Sequence, residues 1–298
     1  MWGISNYSYE KGLSSIDWAI AEEYVNRLQL RIVKAVKKGN WNLVKRLQYL
    51  ITNSFYAKVL AVRKVTGNKG GKTSGVDKIL WTSDKQKYLS VKDLEIKGYK
   101  PMPTRRINIK KDNGNLRPLS IPTMKDRSMQ TLFLYGLQPI AETTGDKHSF
   151  GFRKYRSCAD AMEQLFTILS MKKSGQWILE GDIKGCFDNI NHTWMINNIN
   201  MDKTMIQKFL KAGFVYRKQL FPTNKGTIQG GTISPTFANL TLDARIKIVE
   251  CQHFSRQLGM GIDLCKNQIY THYFCITNWY IWNNILKKIK GDVSNERN

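Results

Sequence analysis

Residues 176–191 read Gln176-Trp177-Ile178-Leu179-Glu180-Gly181-Asp182-Ile183-Lys184-Gly185-Cys186-Phe187-Asp188-Asn189-Ile190-Asn191. The apolar run Trp177–Leu179 leads into Asp182, and Gly181 and Gly185 flank the acid. An apolar run of this length before a glycine predicts a buried strand. That places Asp182 at a strand end, where a carboxylate leaves the core. Two readings of it stand at this level: an acid that meets a metal, or an acid that caps the next turn. Polar turn residues follow, and a helical run begins at His192.

Working outward, charge narrows the partners. Lys and Arg total 47 against 23 Asp and Glu, a net charge of +24. A compact chain carrying this excess repels itself unless counter-charge is near, so a polyanionic partner is expected. Nucleic acid comes first and an anionic membrane surface second. With 298 residues, 42% of them hydrophobic, the chain has enough material for one large domain or two smaller ones. No run is apolar enough to span a bilayer, and Met1-Trp2-Gly3 opens no secretory signal. The five cysteines, at 158, 186, 251, 265 and 275, include no C-x-x-C pair. That argues against a disulfide framework or zinc knuckle and for a reducing cytosol, so a cytoplasmic location is expected.

Towards the N-terminus, Val25, Leu28, Ile32 and Val36 fall at helical spacing, with Arg27, Arg31, Lys34 and Lys38 on another face. Gly39-Asn40 breaks this helix. A second is expected with Trp41, Val44, Leu47, Ile51 and Phe55 as its apolar stripe and with Lys45 and Arg46 among its cations. Such charges form either a solvated face or a phosphate-binding one, and the basic excess favours phosphate. Thr66 to Lys78 contains Gly-Lys-Thr, but Thr66 stands where a P-loop needs its first glycine. A basic loop carrying Lys69 and Lys72 against a phosphate backbone is the better reading.

Residues 99–125 hold alternating Arg105, Ile107 and Ile109, then Asp112-Asn113-Gly114, then Leu116 to Ile121. Asn-Gly between two alternating runs predicts a β-hairpin. Lys111 and Arg117 flank its turn. Lys is a compact charge and Arg grips two oxygens at once, so the pair suits a triphosphate, although an exposed basic hairpin is the plainer alternative. Residues 125–170 read as amphipathic helix broken near 145–151, and 203–217 as a further helix. Gln229-Gly230-Gly231 lets backbone approach a ligand closely, and a helix is expected from Thr236 to about Val249.

Four motifs in order carry a resemblance: Lys125-Asp126-Arg127-Ser128-Met129-Gln130; Ser149-Phe150-Gly151-Phe152-Arg153; Glu180 to Asp188; and Gln229-Gly230-Gly231 with Ser234-Pro235. Together they resemble the reverse transcriptases encoded by group II introns, or maturases, from about residue 15 to 245. The resemblance implies an α+β right-hand polymerase fold: fingers and a partial palm, an N-terminal helical extension over 1–98, a core over 99–245, and a remnant with a short basic tail over 246–298. No room for a thumb is expected. It implies Mg²⁺-dependent copying of RNA into DNA, with an RNA template, a DNA primer and dNTPs, and binding of structured intron RNA. By position, Asp182 is the first metal-binding carboxylate and Ile183 lends its carbonyl to the metal. Lys111 and Arg117 hold the triphosphate, Gln229 and Gly230 line the nucleotide and template pocket, and Asp188 braces the turn into the next helix.

One departure matters. Two-metal phosphoryl transfer needs several carboxylates around two hard cations. The family supplies a second acidic pair from a Tyr-Ala-Asp-Asp hairpin, and this chain contains no Asp-Asp. Tyr270-Thr271-His272-Tyr273 falls where that hairpin belongs, so His272 and Tyr273 stand as degenerate catalytic positions. A shifted reading frame after about Leu242 is the other account. His and Tyr offer no oxyanion at neutral pH, so impaired polymerase activity is expected. The spacing of His148, His192, His253 and His272 fits no metal-ligand pattern.

Overall fold

The computed structural model describes residues 12–110, 114–171 and 185–252. In chain order these form α1 (Trp18–Lys37), α2 (Trp41–Asn53), α3 (Phe55–Gly67), α4 (Asp84–Asp93), β1 (Thr104–Lys110), β2 (Leu116–Ile121), α5 (Met124–Thr144), α6 (Cys158–Leu169), α7 (Cys186–Asn189), α8 (His192–Asn198), α9 (Lys203–Leu210), β3 (Phe214–Tyr216), β4 (Gln219–Phe221) and α10 (Ser234–Gln252). Helices and one small mixed sheet thus make up the described chain, in keeping with an α+β class. The strand expected at 177–179, the helical tail beyond 278 and the positions Lys111, Asp182, Ile183, His272 and Tyr273 lie outside the described residues.

Two compact units divide it. The larger takes the described residues up to Gly145 and from Gly185 to Arg245; the smaller takes those from Asp146 to Met171 and from Ile246 to Gln252. In the larger unit, α1, α2 and α3 all pack on α5. Residues 126–134 of α5 are buried without a break, the mark of a helix enclosed on every side. Val25, Leu28, Ile32 and Val36 of α1 and Val44, Leu47 and Ile51 of α2 bury the stripes their spacing predicts. Asp17 caps α1 by accepting from the N–H groups of Ala19 and Ile20, and Asn40 caps α2 through Leu43.

Pro139 lies inside α5 and has no N–H, so the Tyr135 carbonyl loses its partner four residues on. Gln29 of α1 fills the gap, its Nε2 donating to Tyr135 O at 2.9 Å. At the start of α5, Asp126 accepts from Tyr99 Oη at 2.6 Å, Thr123 Oγ1 at 2.7 Å and Met102 N at 3.2 Å. Burial, then the neighbouring Asp126 charge, pushes the Tyr99 phenol well above its usual range. This knot fixes the segment that leads into β1.

The sheet runs β2-β1-β3-β4: β1 is antiparallel to β2, parallel to β3, and β3 is antiparallel to β4. The hairpin expected around Asn113-Gly114 is β1–β2, with Ile109 opposite Arg117.

Two expectations are corrected. Trp41 and Phe55 are exposed, not part of a buried stripe, because Trp41 begins α2 and the helix breaks at Ser54, whose extended backbone (ψ 132°) starts α3 in a new direction. The helix expected over 203–217 stops at Leu210. Phe214-Val215-Tyr216, aromatic and β-branched, instead pairs into the sheet. The basic loop expected around Lys69 and Lys72 takes the form of a 3-10 turn over Lys69–Lys72, in which Arg127 donates to the carbonyls of Gly70, Thr73 and Pro122, and Arg105 to that of Ser74.

In the smaller unit a Ser157–Asp160 capping box starts α6. The Ser149–Arg153 motif closes on itself, with Arg153 Nε donating to Ser149 Oγ at 3.0 Å.

Candidate nucleotide site

The loop 225–231 is clamped from two sides. On one side it meets α7: Gly226 N donates to Ile190 O at 2.7 Å and Thr227 N to Phe187 O at 2.6 Å. A Cβ on Gly226, whose φ is +80°, would sit 2.6 Å from Phe187 O, so only glycine fits there. His192, buried at the start of α8, donates from Nε2 to Gly226 O at 2.6 Å, because a carbonyl oxygen can only accept. Burial holds its pKa below the usual imidazole value. On the other side the loop meets β2: Ser120 N donates to Gln229 O at 2.8 Å. Gly230, at φ +110°, would place a Cβ 2.7 Å from Ser120 O.

This clamp aims the Gln229 side chain between two charges. Its Oε1 accepts from Arg117 Nε at 3.3 Å, and its Nε2 donates to both oxygens of Asp188 at 3.4 Å. The Arg117 guanidinium is therefore steered through its Nε, and its two terminal NH₂ groups, four N–H donors, are left for an anion. Arg106 backs the arrangement. It stacks 3.4 Å above the Phe214 ring, donates to Ser120 Oγ at 3.3 Å, and lies in the field of Asp188. Burial lowers the Arg106 pKa and Asp188 opposes that shift. A cation stacked on an aromatic face and balanced by a carboxylate keeps its charge.

Of the expected site residues, then, Arg117, Gln229 and Gly230 come together. Asp188, expected to brace the turn into the next helix, braces the Gln229 amide. Arg106 and His192 were missed as site residues. The alternation of β1 carried a signal for Arg106, since Arg106, Asn108 and Lys110 share one face of the strand. Nothing in the sequence marked His192, whose role is a single bond to a backbone carbonyl 34 residues away.

The described residues do not by themselves fit a Mg²⁺ site. Among them no three His, Cys, Asp or Glu side chains cluster, and both oxygens of Asp188 already accept from Gln229. The basic candidates lie on other elements. Arg27, Arg31 and Lys34 are exposed on α1, Lys38 caps its end, Lys45 and Arg46 are exposed on α2, and Lys69 and Lys72 stand exposed on the 3-10 turn. Among the described residues no helix is long and apolar enough to cross a membrane.

Comparison with known proteins identifies the family. Residues 14–94 match the model of the N-terminal domain of reverse transcriptase, and residues 109–274 that of reverse transcriptase (RNA-dependent DNA polymerase). The chain is 36% identical over 225 residues to the group II intron-encoded protein LtrA of Lactococcus lactis subsp. cremoris, covering 72% of this chain and 36% of LtrA. It is 33% identical over 214 residues to the protein YkfC of Escherichia coli (strain K12), covering 67% and 56%. It is 30% identical over 212 residues to the putative COX1/OXI3 intron 2 protein of Saccharomyces cerevisiae, covering 68% and 24%. The chain thus spans between a quarter and just over half the length of these relatives. With a family model spanning more than half of it, the chain belongs to the reverse transcriptase family and is homologous to group II intron-encoded proteins.

Proposed function

We propose that this chain is the fingers and partial palm of a group II intron reverse transcriptase, with an N-terminal RNA-binding extension, and that its own polymerase output is weak. The extension is residues 1–98, the polymerase core 99–245, and the degenerate remnant 246–298. The observation that carries the reading is the Arg117–Gln229–Asp188 chain of hydrogen bonds, which leaves the outer guanidinium donors of Arg117 turned to an anion. Lys111, next to the exposed Lys110, adds a second cation for a dNTP triphosphate. Gly230 keeps backbone, not side chain, at the pocket wall. Asp182 and Ile183 are the proposed Mg²⁺ donors; the metal would polarise the phosphoryl group being joined to the primer. With His272 and Tyr273 in place of carboxylates, the charge needed around a second cation is missing, and a loss of about a thousandfold or more in rate is expected.

RNA holding is the activity that remains. Arg27, Arg31, Lys34, Lys38, Lys45 and Arg46 on the first two helices, with Lys69 and Lys72, supply cations for structured intron RNA. A protein of this kind acts in the cytoplasm on RNA, as a splicing support even where nucleotide joining fails.

The test is primer extension on an RNA template with Mg²⁺, run beside dNTP binding. The wild type binds dNTP, Arg117→Ala weakens that binding about tenfold, and cDNA stays scarce. Recovery of cDNA requires the His272→Asp, Tyr273→Asp double change. Abundant, processive cDNA from the wild type overturns the reading of the weakened site. Equal dNTP affinity in Arg117→Ala overturns the nucleotide pocket.

A further inference from the structure

The second hairpin of the sheet is built against its own turn chemistry. Tyr216 pairs with Gln219, so β3 and β4 are joined by only two residues, Arg217 and Lys218. Both have positive φ, +48° and +67°. Two positive-φ residues in a two-residue loop make a type I′ turn, which favours Asn-Gly because side chains strain there. Two long cations in this turn each carry backbone strain of a kind that is kept where function needs it. Both are exposed. Neither forms an ion pair with a described carboxylate. The sequence around them holds Lys203, Lys208, Lys211 and Lys225 and no acid from 203 to 242.

Topology gives the turn its position. Because β1 and β3 run parallel, with Arg105 opposite Val215, the β1–β2 and β3–β4 hairpins point the same way. Asn108 Nδ2 donates to Tyr216 Oη at 3.1 Å, tying the base of the second turn to β1. The Arg217–Lys218 turn therefore lies at the same end of the sheet as Lys110 and Arg117, two to three strands across from Arg117. At about 4.8 Å per strand that is roughly 10–14 Å. One nucleic-acid strand carries a phosphate about every 3.4 Å of axis, so three or four nucleotides bridge that span.

We propose that Arg217 and Lys218 contact the phosphate backbone of a nucleic-acid strand as it leaves the Arg117–Gln229 site. This rests on reading that site as one for nucleotide joining. The contact reads charge and not base, since the turn offers two flexible cations and no aromatic face turned outward: Arg217 itself covers Tyr216, 5.3 Å from the ring centre. The strained turn is kept because Asn-Gly, which would fold better, carries no charge.

The test is fluorescence anisotropy of a labelled RNA template annealed to a DNA primer, titrated at rising KCl. The variants are Arg217→Ala with Lys218→Ala, Arg217→Asn with Lys218→Gly, and Arg217→Lys. Losing two phosphate contacts makes the slope of log K against log salt shallower by about 1.4 and weakens Kd several-fold at low salt. Arg217→Lys keeps the wild-type slope. The Asn-Gly variant melts about 2–4 °C higher while binding as weakly as the double alanine, which separates lost contact from lost folding. Wild-type slope and Kd in both double variants, with a steep wild type, overturn the turn's role and leave the nucleotide site standing. A wild type that fails to bind the primed template overturns the underlying reading as well.

Discussion

The helical core around α5 and the clamp around Gln229 hold their residues by opposite means. In the core, α1, α2 and α3 press apolar stripes onto a helix buried all round, and no single bond decides the outcome. In the clamp, the 225–231 loop is fixed by backbone hydrogen bonds, two obligatory glycines and one buried imidazole. Packing tolerates exchange of one apolar group for another of like volume, whereas a clamp of this kind fails at one atom. A stripe therefore supports the fold, and a clamp sets one side chain to within a rotamer.

The contrast is sharpest where each region is cut at its most enclosed point. Leu137 of α5 is 0% exposed. Leu137→Ala should cost about 2–5 kcal/mol in urea unfolding, with dNTP affinity unchanged in the folded fraction. Gly226→Ala should cost about 2 kcal/mol and lower dNTP affinity strongly, because the loop must leave α7 to clear two carbonyl oxygens. If Leu137→Ala lowered dNTP affinity as much as Gly226→Ala, the two regions would not be separable and the comparison would fail.

Legibility in the sequence follows the same line. The 3.6-residue period exposed α1 and α2 because burial on one face is what writes that period. The β1–β2 hairpin was legible because Asn113-Gly114 is turn chemistry that nothing else explains. β3 reads in the sequence as the end of a helix over 203–217 for the converse reason. Arg217-Lys218 is poor turn chemistry, and Lys203 to Leu210 sets a helical rhythm that the strand then breaks. At the site, Arg117, Gln229 and Gly230 were legible from motif order. The Asp188–Gln229 bond and the bond from His192 to Gly226 join residues 41 and 34 positions apart, and no local pattern records them.

A polar bond inside the apolar core tests the contrast from within. Gln29→Leu keeps volume but leaves the Tyr135 carbonyl without a donor. It should cost about 1–2 kcal/mol in urea unfolding, less than Leu137→Ala, and Gln29→Glu should cost at least as much, since a carboxylate offers no N–H. An unchanged midpoint in Gln29→Leu would mean that the Pro139 gap is satisfied by water and that the core needs no polar tie there.

The smallest effect comes from His192, where the clamp meets pH. Burial holds the folded-state pKa below the ordinary imidazole value, so the unfolded chain takes up this proton first as pH falls. The sign follows: the contribution of His192 is complete above about pH 6.5 and is lost as pH drops from there through the lower folded value, at no more than about 1.4 kcal/mol per pH unit. Urea midpoints measured from pH 7.5 down to 5 should show this slope in the wild type and a flatter one in His192→Gln, whose amide can still donate to Gly226 O. Because the folded protein keeps the imidazole neutral across this interval, dNTP affinity of the folded fraction should hold steady over it in both proteins. A pH slope equal in the two proteins would assign the titration to another group and remove His192 from the clamp.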